Sequence, residues 1–241
     1  MTQKKAAASS SSSAILSFFG AAAKDYIAAR VLLNAQLPVQ GAILASTAIE
    51  KYFKTIMALR GNSSTGHLRK AHWNSVKNYA PEIFVDINPA FLVFLQRCYK
   101  MRYPDTLPPG FNLVIASREF LAELDEAAML LHYGMGLKNR GEVVGTDIET
   151  YRKNRDVRLL LNNHVITGQS KQAFIKASPQ FVYEMRVDPI RGFIEVYYIA
   201  KPLQSDGMFL REGFKPAVDD PMSYDLAFKV LQHLIAPPRI L

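Results

Sequence analysis

Cysteine is nearly absent: Cys98 stands alone in 241 residues. One cysteine closes no intrachain disulfide and builds no thiolate metal cluster, which fits a reducing, cytoplasmic setting. Histidine is scarce too, with five in the chain. His67 and His72 are five apart, where a helical zinc pair needs four, so no metal is expected. The sequence has no Walker-type phosphate loop and no glycine-rich dinucleotide fingerprint, which excludes the common nucleotide-cofactor folds and leaves no cofactor to expect. No stretch reaches the roughly 18–20 apolar residues of a membrane-spanning helix, so no membrane is expected. The start, "MTQKKAAASSSSSAILSFFGAAAK", has lysines ahead of an apolar patch. Five serines separate the two, and the patch continues into a helical pattern, which argues against a cleaved secretory signal.

What is present is positive charge and an ample apolar fraction. The formal net charge is +8, and 49% of residues are hydrophobic. That composition supplies a sizeable core. The charge favours anionic partners such as nucleotides or nucleic acid.

The pattern divides the chain into 1–13, a low-complexity tail expected to be disordered; 14–134, a helical bundle; 135–146, a glycine-rich linker; and 147–241, an α+β extension of unassigned role. Ile15, Phe18, Phe19, Ala22, Tyr26, Ala29 and Leu33 repeat at helical spacing, and Pro38 ends the run. A second helix over 39–60 carries Ala45, Ala48, Ile49, Tyr52, Phe53, Ile56 and Leu59 on one face. Glu50 and Lys54 sit four apart, in the favourable order for an ion pair. "GNSSTG" is a loop, and a short helix follows from His67 to Tyr79. Pro89 opens a fourth helix and Pro104 stops it, while a long fifth helix runs from Ser117 to Tyr133. "QFVYEMRV" and "GFIEVYYIA" flank "DPIR" and predict a β-hairpin. A last helix is expected over Met222–Ala236. The fold class is thus mainly α, an up-down bundle followed by a small α+β unit with a hairpin.

Arg102 is the most informative single residue. It lies four after Cys98 and seven after Leu95, so the spacing puts it on the buried stripe of the fourth helix. A buried guanidinium needs a partner. That partner is either Asp105 or a neighbouring glutamate, or an external phosphate, which suits arginine's bidentate fork. Tyr103 beside it is placed to stack on or orient it.

Several segments resemble the HEPN family in order: "AIEKYFKTIMALRG", "TGHL", "RYPD" and "REFLAELDEAAMLL". The matching residues are Glu50, Lys51, Lys54, Gly66, His67 and Arg102 to Asp105, and the resemblance covers about residues 15–135. It implies a HEPN-like bundle that forms a homodimer and binds nucleotide or RNA. It also implies a nucleotidyltransferase-like protein partner for members acting as toxins. Under it, Arg102, Lys51 and Lys54 supply positive surface and His67 a hydrogen bond.

The family's RNases have an arginine and a histidine separated by four to six residues near the fourth helix. There the histidine handles the ribose 2′-hydroxyl proton and the arginine steadies phosphate charge. Here no histidine follows Arg97 or Arg102 in that window, so the reading favours binding without catalysis. Arg60 with His67, and Arg158 with His164, are the pairs of similar spacing that would serve a metal-independent RNase or toxin. A protein–protein interaction module is the third reading. "ELDE", Glu123 to Glu126, reads as a solvated acidic face, and "RKNR", Arg152 to Arg155, as a basic run that either touches a phosphate backbone or, as the preferred reading, is a solvated helix face. His72 reads as packing beside Trp73, His132 as a favourable charge at a helix end, and His233 as part of a plain amphipathic helix.

Overall fold

The computed structural model describes residues 2–62, 66–68, 70–139, 141–177 and 180–200. The expected helix Met222–Ala236 and His233 lie outside them. Two long helices make the frame, α1 (Thr2–Asn34) and α2 (Pro38–Leu59). Small residues let them approach: Ala22 and Ala29 on α1, and Ala42, Ala45 and Ala48 on α2, are all fully buried. Gly41 sits at the tightest point, where an added Cβ would lie 2.7 Å from Leu33 Cγ and 3.1 Å from the Ala29 carbonyl oxygen. Pro38 occupies the first turn of α2, where its missing N–H costs nothing. α1 also includes residues 2–13, expected as a disordered tail. The alanines there are the best intrinsic helix formers and extend the helix that follows.

Three shorter helices follow, α3 (Lys70–Tyr79), the single turn α4 (Pro81–Phe84) and α5 (Pro89–Lys100). A 3-10 turn over Pro104–Thr106 and a strand, β1 (Asn112–Ala116), then lead into α6 (Ser117–Gly134). Phe91 of α5 meets Phe120 of α6 edge to face at 5.4 Å, both rings fully enclosed.

The segment expected as a linker instead contains a small antiparallel ribbon, β2 (Lys138–Asn139) and β3 (Glu142–Val143). Beyond it come α7 (Asp147–Lys153), α8 (Val157–Leu160), α9 (His164–Thr167) and α10 (Lys171–Lys176). The expected hairpin follows as β4 (Gln180–Asp188) and β5 (Gly192–Ala200). Its turn is shaped by Asp188, whose side chain accepts the N–H groups of Ile190 and Arg191, and by Gly192 at φ +76°. β4 is the middle strand of a three-stranded antiparallel sheet in the order β1-β4-β5, with Val114 opposite Glu184 and Tyr183 opposite Tyr197.

The 135–146 segment does not interrupt the core. Ile148, Leu159, Phe174, Ile175, Tyr183 and Met185 join the same apolar cluster as Tyr52, Phe91 and Leu124. At about 1.5–3 kcal/mol for each buried side chain, these six contribute on the order of 10 kcal/mol. Without these side chains the shared core is incomplete, so the bundle leans on the later helices and strands.

"ELDE" is not a solvated face. Asp125 is fully buried and forms an ion pair with Arg30, itself fully buried on α1. Tyr26 donates its hydroxyl to Asp125 at 2.8 Å, Asn163 donates to Tyr26, and Arg30 also donates to the Leu161 carbonyl. Glu123 and Glu126 both hold Lys171, at 2.8 and 2.6 Å. The acids of α6 thus clamp α1 and α10.

Candidate functional site

Helix α5 ends two residues earlier than the stripe suggests. Its last residue is Lys100, Met101 caps it and is buried, and Arg102 is exposed. Past Lys100 the chain tightens, with the Arg102 N–H on the Tyr99 carbonyl three residues back. Helical spacing therefore no longer sets the direction of Arg102. The expected buried position and the Asp105 pairing are both corrected: Arg102 Nη1 donates to the Tyr99 hydroxyl at 2.7 Å. The guanidinium also lies over two rings, 5.1 Å from the centroid of Tyr99 and 5.8 Å from that of Tyr103. No carboxylate neutralises it among the described residues.

Tyr99 carries the chain of contacts onward. Its ring stacks on His67 at 4.2 Å. Burial pushes its hydroxyl pKa up, and Arg102 only partly opposes this. The phenol therefore keeps its proton, and since it accepts from Arg102 that proton is left to donate outward. His67 Nδ1 lies 3.2 Å from Glu50 Oε2, and Lys54 Nζ lies 2.6 Å from Glu50 Oε1. The carboxylate can only accept, so Nδ1 carries the hydrogen and Nε2 is the open nitrogen. Nε2 has no partner among the described residues, and the His67 side chain is 55% exposed.

Four of the five expected ligand residues, Lys54, His67, Arg102 and Tyr103, thus lie along one run of contacts. Glu50 and Tyr99 are its hidden links. Lys51 does not join it: its Nζ is held at 2.6 Å by Asp25 of α1, an oxygen that also accepts from Thr47. Tyr99 did not stand out in the sequence, although its three-residue spacing to Arg102 and its phenol were signals of this role.

The two arginine–histidine pairs are not brought together. Arg60 donates to the Tyr79 carbonyl at 3.1 Å, while His67 belongs to Glu50 and Tyr99. Arg158 is held by Asp156 and lies 4.2 Å over the Tyr151 ring. His164 is buried, its nitrogens 3.2 and 3.3 Å from the carbonyls of Ala122 and Gln169, and its ring stacks on Phe174. It helps dock α9 onto α6.

His132 is not at a solvated helix end. It is buried between the Tyr52 hydroxyl, 3.0 Å from Nδ1, and Glu149 Oε1, 2.7 Å from Nε2, and it stacks on Phe19 at 4.6 Å. Burial lowers its pKa against the pull of Glu149. Tyr52 is fully enclosed, so this Tyr-His-Glu relay ties α2, α6 and α7 together and presents no nucleophile to solvent. His72 is buried, as packing requires. Among the described residues no His, Cys, Asp or Glu group of three or more could hold a metal ion, and no helix is long and apolar enough to cross a membrane. No protein-family model, no curated protein and no solved structure matches this chain.

Proposed function

We propose that the surface formed by Lys54, His67, Tyr99, Arg102 and Tyr103 binds the phosphate of a nucleotide or RNA without cleaving it. The observation that carries this is Arg102. It is a guanidinium on the surface, backed by two tyrosines and matched by no acid. Such a group is oriented but not neutralised, which suits bidentate contact with phosphate oxygens. Tyr103, 58% exposed although Arg102 lies over its ring, still offers ring surface to a base. The ordered resemblance to HEPN domains supports the same reading and adds a homodimer and a nucleotidyltransferase-like protein partner to what binding assays should include.

A second reading, a metal-independent RNase, draws on one specific contact. Glu50 orients His67 with Nε2 outward, the arrangement by which a carboxylate prepares an imidazole to take a proton. Arg102 on the far side of Tyr99 would then steady phosphate charge. This pairing differs from both arginine–histidine spacings read from the sequence.

One experiment separates the readings. End-labelled RNA is mixed with protein in EDTA and run on native and denaturing gels. Intact, shifted RNA, with the shift weakened by Arg102→Gln, supports binding. Shortened RNA that becomes intact with His67→Ala supports the nuclease. RNA neither shifted nor cut, with no binding of free nucleotide, defeats both and leaves a protein interaction module.

A further inference from the structure

The turn between α7 and α8 holds an arginine where a glycine would be cheaper. The Asp156 N–H bonds the Tyr151 carbonyl at 2.9 Å, and the Arg155 N–H bonds the Arg152 carbonyl at 3.3 Å. These two bonds are the pair that closes a helix through a left-handed residue, a position glycine usually fills. Here that residue is Arg155, at φ +50°. A side chain with a Cβ costs about 1–2 kcal/mol in this conformation. Yet the Arg155 side chain is exposed and has no partner among the described residues. No contact among the described residues offsets this cost, and the guanidinium is left open to a partner outside the fold.

Its neighbours share the same character. Arg152 and Lys153 are exposed and also without partners among the described residues. Arg158 is fixed by Asp156, with Nε and Nη2 donating to the two carboxylate oxygens at 2.9 and 2.6 Å, which leaves Nη1 turned outward. The corner is rigid. Ile148 and Leu159 on either side are fully buried, Asn162 donates to Asn34 of α1 at 2.7 Å, and Arg30 holds the Leu161 carbonyl. "RKNR" is solvated, as expected, and with Arg158 it puts four cations on a braced turn as a positive surface, with Asp156 among them and Asp147 near enough to act on Arg158.

We infer that Arg152, Lys153, Arg155 and Arg158 form a phosphodiester-backbone contact for nucleic acid. The site is separate from the His67 surface, and the inference stands whether or not that surface binds phosphate. Three of the four cations are arginines, whose planar forks match phosphate oxygens. The apolar side chains exposed nearby, Val157 and Leu161, are aliphatic, and the one aromatic ring, Tyr151, is covered by Arg158. No free aromatic anchor is present for a lipid surface.

Arg155→Gly provides the sharpest test, because it removes the guanidinium and relieves the turn. A purely structural arginine would leave binding unchanged when replaced. Binding of labelled 20-mer RNA and duplex DNA is followed by anisotropy from 50 to 200 mM salt, together with thermal melting. Arg155→Gly should melt no lower than the wild type and bind about threefold more weakly. The slope of log K against log salt should fall by about 0.7–0.9. Arg152→Gln/Lys153→Gln/Arg155→Gly should lose at least tenfold, and the same loss should appear in an Arg102→Gln background. Unchanged affinity and slope overturn the proposal, as does a wild type that binds neither probe. If the triple variant loses sedimentation with phosphatidylserine vesicles but keeps nucleic-acid binding, the corner serves a membrane surface and the proposal falls.

Discussion

Arg30 and Asp125 meet with neither side chain exposed to solvent, one on α1 and the other on α6. Asp125 is buried enough that desolvation pulls its carboxyl pKa up, against the lowering by Arg30 and Tyr26. Taking two charges out of water is costly, and their attraction returns about what was lost. Removing one partner leaves a buried charge with nothing to balance it. Asp125→Ala should therefore destabilise the fold by about 3–5 kcal/mol, whereas Arg30→Met/Asp125→Leu should come within about 1–2 kcal/mol of the wild type. Urea denaturation of the three proteins checks this. A single variant no weaker than the double one would show that the pair is not coupled.

Gly41 and Gly20 should answer the same substitution with opposite signs. Alanine gains up to about 1 kcal/mol over glycine inside a helix. Around Gly20 the space is open, so Gly20→Ala should stabilise by that order. At Gly41 the new methyl meets Leu33 Cγ and the Ala29 carbonyl, and forcing α1 and α2 apart costs more than the helix gains. Gly41→Ala should lower stability by about 1–2 kcal/mol. Parallel melting curves show the result directly, and a gain at Gly41 would mean the helices part easily.

The Tyr52–His132–Glu149 relay should make the fold acid-sensitive. Burial lowers the pKa of His132, so on acidification the unfolded chain takes up its proton first. The stability this histidine contributes is full above its unfolded value, about 6.5, and declines as pH falls below it. Burial also pulls Glu149 upward, but hydrogen bonds from Thr146 and His132 hold its carboxyl below the ordinary range. Its contribution declines further down, as pH falls below its unfolded value of about 4.5. Asp125 and Glu184, both raised, pull the opposite way at low pH. Comparing the wild type with His132→Gln cancels those two. The stability difference should be flat above pH 7 and shrink below 6.5, with a slope of at most about 1.4 kcal/mol per pH unit. A difference that grows on acidification would mean His132 is charged in the fold.

The helices and the hairpin were legible because their patterns are local. Tyr26, Ala29 and Leu33 repeat at helical spacing, and the β4 and β5 sequences are dense in aromatic and β-branched residues. β1 was missed. "NLVIA" follows a proline loop, is buried on both faces, and has no alternation to mark it. The buried, acid-paired arginine expected at Arg102 is instead Arg30, which lies four after Tyr26 and inside the helix, where spacing still fixes direction. Arg102 fell just past the helix end, where it does not. Lys54, His67, Arg102 and Tyr103 could be picked out singly, and Glu50 as the partner of Lys54, but the contacts of His67 with Glu50 and Tyr99 that join them cross a loop and two helices and leave no mark in local spacing.

The antiparallel pairing of β1 with β4 also sets a timetable. As the chain is synthesised, β1 emerges with the bundle, but its ladder partner begins only at Gln180. Until then an apolar strand waits with an open edge, the kind of surface that recruits chaperones or neighbouring nascent chains. The bundle is made early and finished late. The partner of β1 is a strand of a hairpin that lies after the segment the sequence marked as a boundary.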